Sequence, residues 1–233
     1  MNSSNKYWPL SSRANQILKT SGSDNSGENT YTYNEKGYRG DSVKHDIDLI
    51  TIGCSHTEGI GVNDNETWSY YTAEKLRLKH MNMGFTGRSN DYIARSTNLA
   101  IQNYSPRIIA VMYTYISRRE LTTKFGQQPY AANAWGYMED YPEDHKALTQ
   151  LSTPENDRNN WYKNHALITS LCKANNVKLV WNGTFADEGD FYLPEENRYD
   201  GEYRIKPGTH ATAEQNRKYS DGLVGYLIDN SYI

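Results

Sequence analysis

The chain is short of several things, and each shortage closes off a class of protein. Only two of its 233 residues are cysteine, Cys54 and Cys172. Two cysteines make neither a disulfide framework nor a zinc-ligand pattern, so both are expected as free, partly buried thiols. No apolar window approaches the length of a membrane-spanning helix. The amino-terminal MNSSNKYWPL lacks the apolar core flanked by positive charge that marks a secretory signal. The expectation is a soluble protein made without standard export. Positive charge is not in excess either. With 25 Lys and Arg against 28 Asp and Glu, the net charge is -3, and no basic block stands out. That excludes a phosphate-binding surface of the nucleic-acid type. Phenylalanine is scarce, with four copies against 20 tyrosines. Tyrosine joins a flat apolar face to a hydrogen-bonding tip and suits contact surfaces for sugars or proteins.

The apolar residues, 36% of the chain, gather into periodic segments. Residues 1–45 form a polar arm, irregular around TSGSDNSGENT, with YTYNEKGYRG as a short edge strand before a turn. DIDLITIG, residues 46–53, is a continuous apolar block and predicts a strand covered on both faces. NETWSYYTAEKLRLK predicts a helix capped by Asn65 or Asp64, with Trp68, Tyr71 or Thr72, and Leu76 on one face. HMNMGF is a second strand, and GRSNDYIARSTNLAIQNY a helix capped by Ser89 or Asn90 that turns Ile93, Ala100 and Ile101 inward. PRIIAVMYTYI is the third strand. From about residue 118 to 160 the pattern breaks, which marks a long insert. WYKNHALITSLCKANN then predicts a helix burying Trp161, Ala166 or Leu167, Ile168, Leu171 and Cys172. VKLVWNGTF is a strand, residues 186–209 a loop, and TAEQNRKYSDGLVGYLIDN the last helix. This alternation predicts one α/β domain over 46–233, a sandwich with a parallel sheet.

Ligands of such sheets bind outside the carboxyl ends of the strands. Four segments are expected there: Ser55 after the first strand, Gly87 after the second, Thr114 to Ser117 after the third, and the loop carrying His210. In DLITIGCSHTEGIGV, residues 48–62, an apolar run ends at Gly53 and delivers Ser55 into a glycine-punctuated turn. A serine hydroxyl needs a base within hydrogen-bond reach and donors for the oxyanion that forms. His56 adjoins Ser55, but neighbours in a turning chain point their side chains apart. His45, His80, His145 and His165 lie in polar or helical contexts where a solvated histidine is the default. His210, in KPGTHATAEQ, lies on the rim side. Arg118 and Arg119, in SRRE, can grip a carboxylate or phosphate, or form a structural Arg–Glu pair that anchors the insert. Arg88 carries the same two readings, and Tyr115 stands beside them as a substrate-facing aromatic.

ITIGCSHTEGIGV followed by ETWSYYTAEKL resembles the first block of the SGNH (GDSL-type) hydrolase family, whose Gly-Asp-Ser stands here as Gly53-Cys54-Ser55. MNMGFTGRSNDYIAR is similar to the second block, which places the family's oxyanion glycine on Gly87. KPGTHAT is similar to the fifth, which places the catalytic histidine on His210. NEKGYRG is similar to the segment that often precedes the first strand. The resemblance runs from about residue 34 to the end and leaves the insert uncovered. It implies a flavodoxin-like three-layer α/β/α sandwich and ester hydrolysis through an acyl-serine. Ser55 would attack, His210 would carry its proton to the leaving alcohol, and the Ser55 and Gly87 N–H groups would hold the oxyanion. The turn is not the Gly-x-Ser-x-Gly elbow of α/β-hydrolases, because Thr57 takes the second glycine's place.

Two supporting groups depart from the pattern. VMYTYISRRE has no asparagine where the third block supplies one; Thr114, Ser117 or Asn90 are the stand-ins. Pro207 occupies the place of the acid, leaving Asp200 or Glu202, or a backbone carbonyl, to orient His210. A polar rim favours a small-molecule or carbohydrate ester as substrate, such as an acylated sugar, with no cofactor, metal, nucleic acid or membrane involved. The other reading is a catalytically degenerate binding or structural module. Proteins with this block pattern look like those carried by tailed bacteriophages, where a decoration or adhesion role fits. The arm and the 118–160 insert would then meet a protein partner, and the location would be cytoplasmic or virion-associated.

Overall fold

The computed structural model describes residues 13–21, 28–41, 46–120, 150, 153–183 and 210–233. Strands β1 (Ile17–Ser21) and β2 (Glu28–Thr32) form an antiparallel hairpin. Strands β3 (Leu49–Gly53), β4 (His80–Asn82), β5 (Ile108–Tyr113) and β6 (Lys178–Gly183) follow. Among the described residues these four make a second sheet, ordered β4-β3-β5-β6 with every pairing parallel. The helices are α1 (Ser55–Glu58), α2 (Trp68–Leu76), α3 (Asn90–Tyr104), α4 (Pro154–Ala174) and α5 (Ala213–Asp229).

Alternate strand residues face opposite sides of a sheet, and here both sides are covered. Ile50, Ile52, Ile109 and Val111 pack with Ile93 and Ile101 of α3 and with Ile168 and Cys172 of α4. Leu49, Ile108, Ala110 and Met112 pack with Trp68 of α2 and with Tyr219, Leu223 and Leu227 of α5. This double burial explains why β3 and β5 read as unbroken apolar runs, and it yields the expected three-layer α/β/α sandwich. Truncating one such isoleucine to alanine costs about 2–5 kcal/mol. Among the described residues no helix is long and apolar enough to cross a membrane.

The order β4-β3-β5 creates a switch point. From β3 the chain leaves through α2 to β4 on one side, and then returns through α3 to β5 on the other. Crevices at the carboxyl ends of strands open where connections diverge in this way. Because Gly53 lies opposite Met112, Ser55 and Thr114, two residues beyond each, stand at matching levels on either side of that point.

Local structure departs from expectation in three places, and polar groups cause each. Helix α2 is capped by Thr67, whose hydroxyl accepts from the Tyr70 N–H, not by Asn65 or Asp64. The Asp64 carboxylate is taken by the Thr32 N–H and by Arg39. Helix α4 starts at Pro154, two turns before the apolar pattern begins, with Thr153 as its cap. Its first turns bury Asp157, Asn160 and Asn164 instead of apolar groups. Further along that helix Leu167 is 48% exposed and Ala166 also faces solvent, while Ile168 and Cys172 carry the buried side. The amino-terminal arm, finally, is knitted to the sandwich. Tyr31, Tyr33, Tyr38 and Arg39 are buried, and Arg39 donates to the carbonyls of Glu58, Gly59 and Val62. Among the described residues several tyrosines are buried with their hydroxyls bonded: that of Tyr92 donates to the Met83 carbonyl, and that of Tyr31 accepts from the Gly61 N–H.

Candidate active site

Strand β3 runs directly into the one-turn helix α1, with Ser55 as its first residue and Cys54 as its cap. The turn is tight because Gly53 carries no side chain. A Cβ there would lie 2.1 Å from Thr57 Oγ1 and 2.8 Å from the Met112 carbonyl oxygen. The turn closes at Gly59 in the left-handed region, φ 82°, where glycine is favoured. Ser55 is 7% exposed, and its Oγ lies 4.0 Å from Cys54 Sγ.

Glu58 ends the turn and is fully buried. Its Oε1 accepts from Arg13 Nη1 at 2.9 Å and from the Tyr33 hydroxyl at 2.8 Å. Its Oε2 accepts from the N–H and the hydroxyl of Thr86, both at 2.5 Å. The carboxylate thus ties the amino-terminal arm to the segment that carries Gly87. The same segment is packed against α1 by Gly84, whose missing Cβ would lie 2.3 Å from the Glu58 nitrogen. Asn82 completes the tie by donating to the Thr57 carbonyl at 2.7 Å and accepting from the Gly84 N–H at 2.9 Å. Gly87 follows with φ 74°. Among the described residues neither its N–H nor that of Ser55 has an acceptor.

Beyond β5, the side-chain amide of Asn90 brackets Thr114, accepting from its N–H at 3.0 Å and donating to its carbonyl at 3.2 Å. Asn90 therefore braces the rim through Thr114. Thr114 Oγ1 accepts from Arg118 Nη1 at 2.9 Å, so the threonine's own O–H is still available to donate. The Arg118 guanidinium lies over the Tyr115 ring at 5.0 Å, and Tyr115 is 46% exposed. The two arginines of SRRE divide. Arg119 pairs with Asp157 of α4 at 3.0 Å, and Glu120 pairs with Arg95 of α3 at 2.6 Å, so the anchoring Arg–Glu pair is made by Arg95. Arg88 packs its guanidinium over Phe85 at 4.6 Å and over Tyr92 at 5.8 Å, and burial lowers its pKa.

His210 immediately precedes the turn into α5, which Thr212 caps together with Gln215. The His210 ring centroid lies 5.2 Å from that of His56. Burial, then the neighbouring His210 and Arg118 charges, push the His56 pKa down from 6.5 to about 3. Burial also lowers that of His210, with Glu58 acting in the opposite sense and Arg118 reinforcing the shift. Both shifts favour the neutral ring, the state in which a histidine can take a proton. No hydrogen bond joins His210 to Ser55. The Ser117 side chain lies partly exposed in the turn after Thr114. Asp200, Glu202 and Pro207 lie outside the described residues.

Sequence reasoning brought Ser55, Gly87, Thr114 and His210 to one rim and missed Glu58, Arg13, Tyr33, Thr86 and the approach of His56 to His210. One signal was present, an acidic residue between the small residues of SHTEG, where the fold has no room for water. The partner of that residue, Arg13, lies 45 positions away.

No family model and no curated protein matches the chain. Three solved structures are similar to it in fold. One is an acetyl xylan esterase from the rumen bacterium Butyrivibrio proteoclasticus, with TM-score 0.48, 12% identity, and 85% of this chain and 68% of that one covered. A second is a GDSL-like lipase from Bacteroides thetaiotaomicron, with TM-score 0.38, 15% identity, and 78% and 88% covered. The third is the Clostridium thermocellum family 3 carbohydrate esterase, with TM-score 0.37, 16% identity, and 79% and 96% covered.

Proposed function

We propose that the chain is a serine ester hydrolase acting on a polar acyl ester, with Ser55 as nucleophile and His210 as base. The observation that carries this reading is the placement of Ser55 at the switch point, first in the turn after β3 and level with Thr114. The loop of Gly87 is tied to that turn, and the His210 ring, its pKa lowered by burial, lies 5.2 Å from that of His56, the residue next to Ser55.

In the proposed reaction Ser55 Oγ attacks the ester carbonyl while His210 accepts its proton. The oxyanion forms against the N–H groups of Ser55 and Gly87. The Thr114 hydroxyl donates a third hydrogen bond, in place of the asparagine that related motifs supply. His210 then protonates the departing alcohol, and water hydrolyses the acyl-serine by the reverse assignment of roles. Ser55 Oγ rests beside Cys54, so attack requires its side chain to turn toward His210, and catalytic hydrogen bonds commonly tighten only once substrate is bound. Asp200 and Glu202 are the proposed orienting acids.

The test is labelling with a fluorophosphonate, run beside Ser55→Ala and His210→Ala. Labelling of the wild type that both variants lose supports an activated serine. Folded wild type that stays unlabelled and cleaves no short acyl ester overturns the reading. The resting Ser55–Cys54 contact would then favour a binding module of the same fold.

A further inference from the structure

Arg118 and Arg88 are the rim arginines without a carboxylate partner among the described residues, and Arg88 is packed on Phe85 and Tyr92. Arg13, Arg39, Arg95, Arg107 and Arg119 each pair with a carboxylate, those of Glu58, Asp64, Glu120, Asp48 and Asp157. Arg118, one residue before Arg119, has no such partner among the described residues. One of its N–H groups is held by Thr114 Oγ1, and its flat face lies over Tyr115. Among the described residues its remaining donors have no acceptor, and a guanidinium presents five in a fixed plane. Among the described residues its neighbours supply no carboxylate that pairs with it. His56 and His210 are both close enough to feel the Arg118 charge, and the shifts of both favour the neutral ring. Glu58, the acid that acts on His210, is already engaged by Arg13, Tyr33 and Thr86. Among the described residues, the Arg118 guanidinium therefore has no carboxylate partner.

We infer that Arg118, anchored on Thr114, is an anion subsite, and that the substrate is an ester bearing a second, negatively charged oxygen group close to its scissile bond. A carboxylate or a phosphate would take the fork in two parallel hydrogen bonds, which adds direction as well as charge. The inference deepens the hydrolase reading and rests on it for the word substrate, while anion binding itself stands independently.

Two measurements separate these parts. The first follows the ring protons of His56 and His210 by NMR as inorganic phosphate is added at constant ionic strength. A saturable shift is expected in the wild type. It should be at least tenfold weaker in Arg118→Gln, and partly restored in Arg118→Lys, which keeps the charge without the fork. An equal response in wild type and Arg118→Gln, or none in the wild type, overturns the subsite. The second compares two 4-nitrophenyl esters, the neutral butyrate and the anionic monoadipate. Arg118→Gln should lower kcat/KM for the monoadipate at least tenfold more than for the butyrate. Equal losses overturn the role in specificity. Phosphate binding without hydrolysis of either ester would overturn the hydrolase reading while upholding the anion site.

Discussion

The two walls of the rim are built on opposite principles. On the wall made by α1, the arm and the Gly87 segment, polar groups are closed upon one another. Glu58 is fully buried and meets four donors, Arg39 is buried and spans three carbonyls and Asp64, and two glycines allow backbone to touch backbone. On the wall made by Thr114, Arg118 and His210, which faces His56 of α1, polar groups are brought close, and among the described residues no carboxylate pairs with Arg118. A buried charge must be paired and hydrogen-bonded to be tolerated, so the charges of the first wall hold shape. The second, partly open, retains donors that a ligand can use. The difference separates charges that are closed upon one another from donors that a ligand can still reach.

Substitutions can break that contrast, and the largest effect is expected on the closed wall. Glu58→Ala strands Arg13 and the Thr86 donors. Breaking a buried pair costs about 3–5 kcal/mol, and the lower end applies because the Arg13 side chain is 30% exposed. Urea unfolding would read a loss of about 3 kcal/mol, and a loss under about 1 kcal/mol would place Glu58 with ordinary surface pairs. On the open wall, Thr114→Val should leave stability nearly intact. If the ester reading holds, it should lower kcat by about a hundred- to a thousand-fold, as for loss of one oxyanion donor. An unchanged kcat would remove Thr114 from the reaction.

The His56 ring gives a pH-dependent prediction. Its folded pKa, about 3, lies below the ordinary 6.5, so below pH 6.5 the unfolded chain binds the proton that the folded chain refuses. The stability from a neutral His56 is thus complete above pH 6.5 and is lost progressively as pH falls toward 3. His56→Phe should flatten the stability–pH profile in that window by about 1 kcal/mol per pH unit. Parallel profiles for variant and wild type would show that His56 is protonated in the fold. The smallest effect belongs to Glu120→Gln, away from both walls. Its partly exposed pair with Arg95 should be worth about 1 kcal/mol or less, with Ser55 labelling unaltered. A large loss of labelling would mean that the 118–120 segment positions Arg118 through Glu120.

Much of the sandwich was legible in advance, and the reason is local. The apolar blocks of β3 and β5, the 3.6-residue spacing of α3 with Ser89 before it, and the helical run of α5 each depend on neighbours in the chain. The order of elements then places Ser55, Gly87, Thr114 and His210 at one edge of any parallel sheet. The misses share another cause. The start of α4 was hidden because its first turns bury asparagines against Asp91, with Asn160 and Asn164 both donating to one carboxylate oxygen. A polar residue satisfied by a distant partner is indistinguishable, in sequence, from one satisfied by water. For the same reason nothing in the polar arm announced that Tyr33 and Arg13 close over Glu58.

The sequence by itself determined the alternation of strand and helix, the depth of the two apolar layers and the delivery of a serine to the end of β3. All of these follow from steric and hydrophobic periodicities that act over a few residues. Only the tertiary structure decided which charges are spent and which are left over. Glu58 is closed off by an arm 45 residues away, Glu120 is drawn to Arg95 rather than to its adjacent arginines, and Arg118 stays facing the rim with Thr114. Electrostatic pairing is settled by distance in space, and only folding sets that distance.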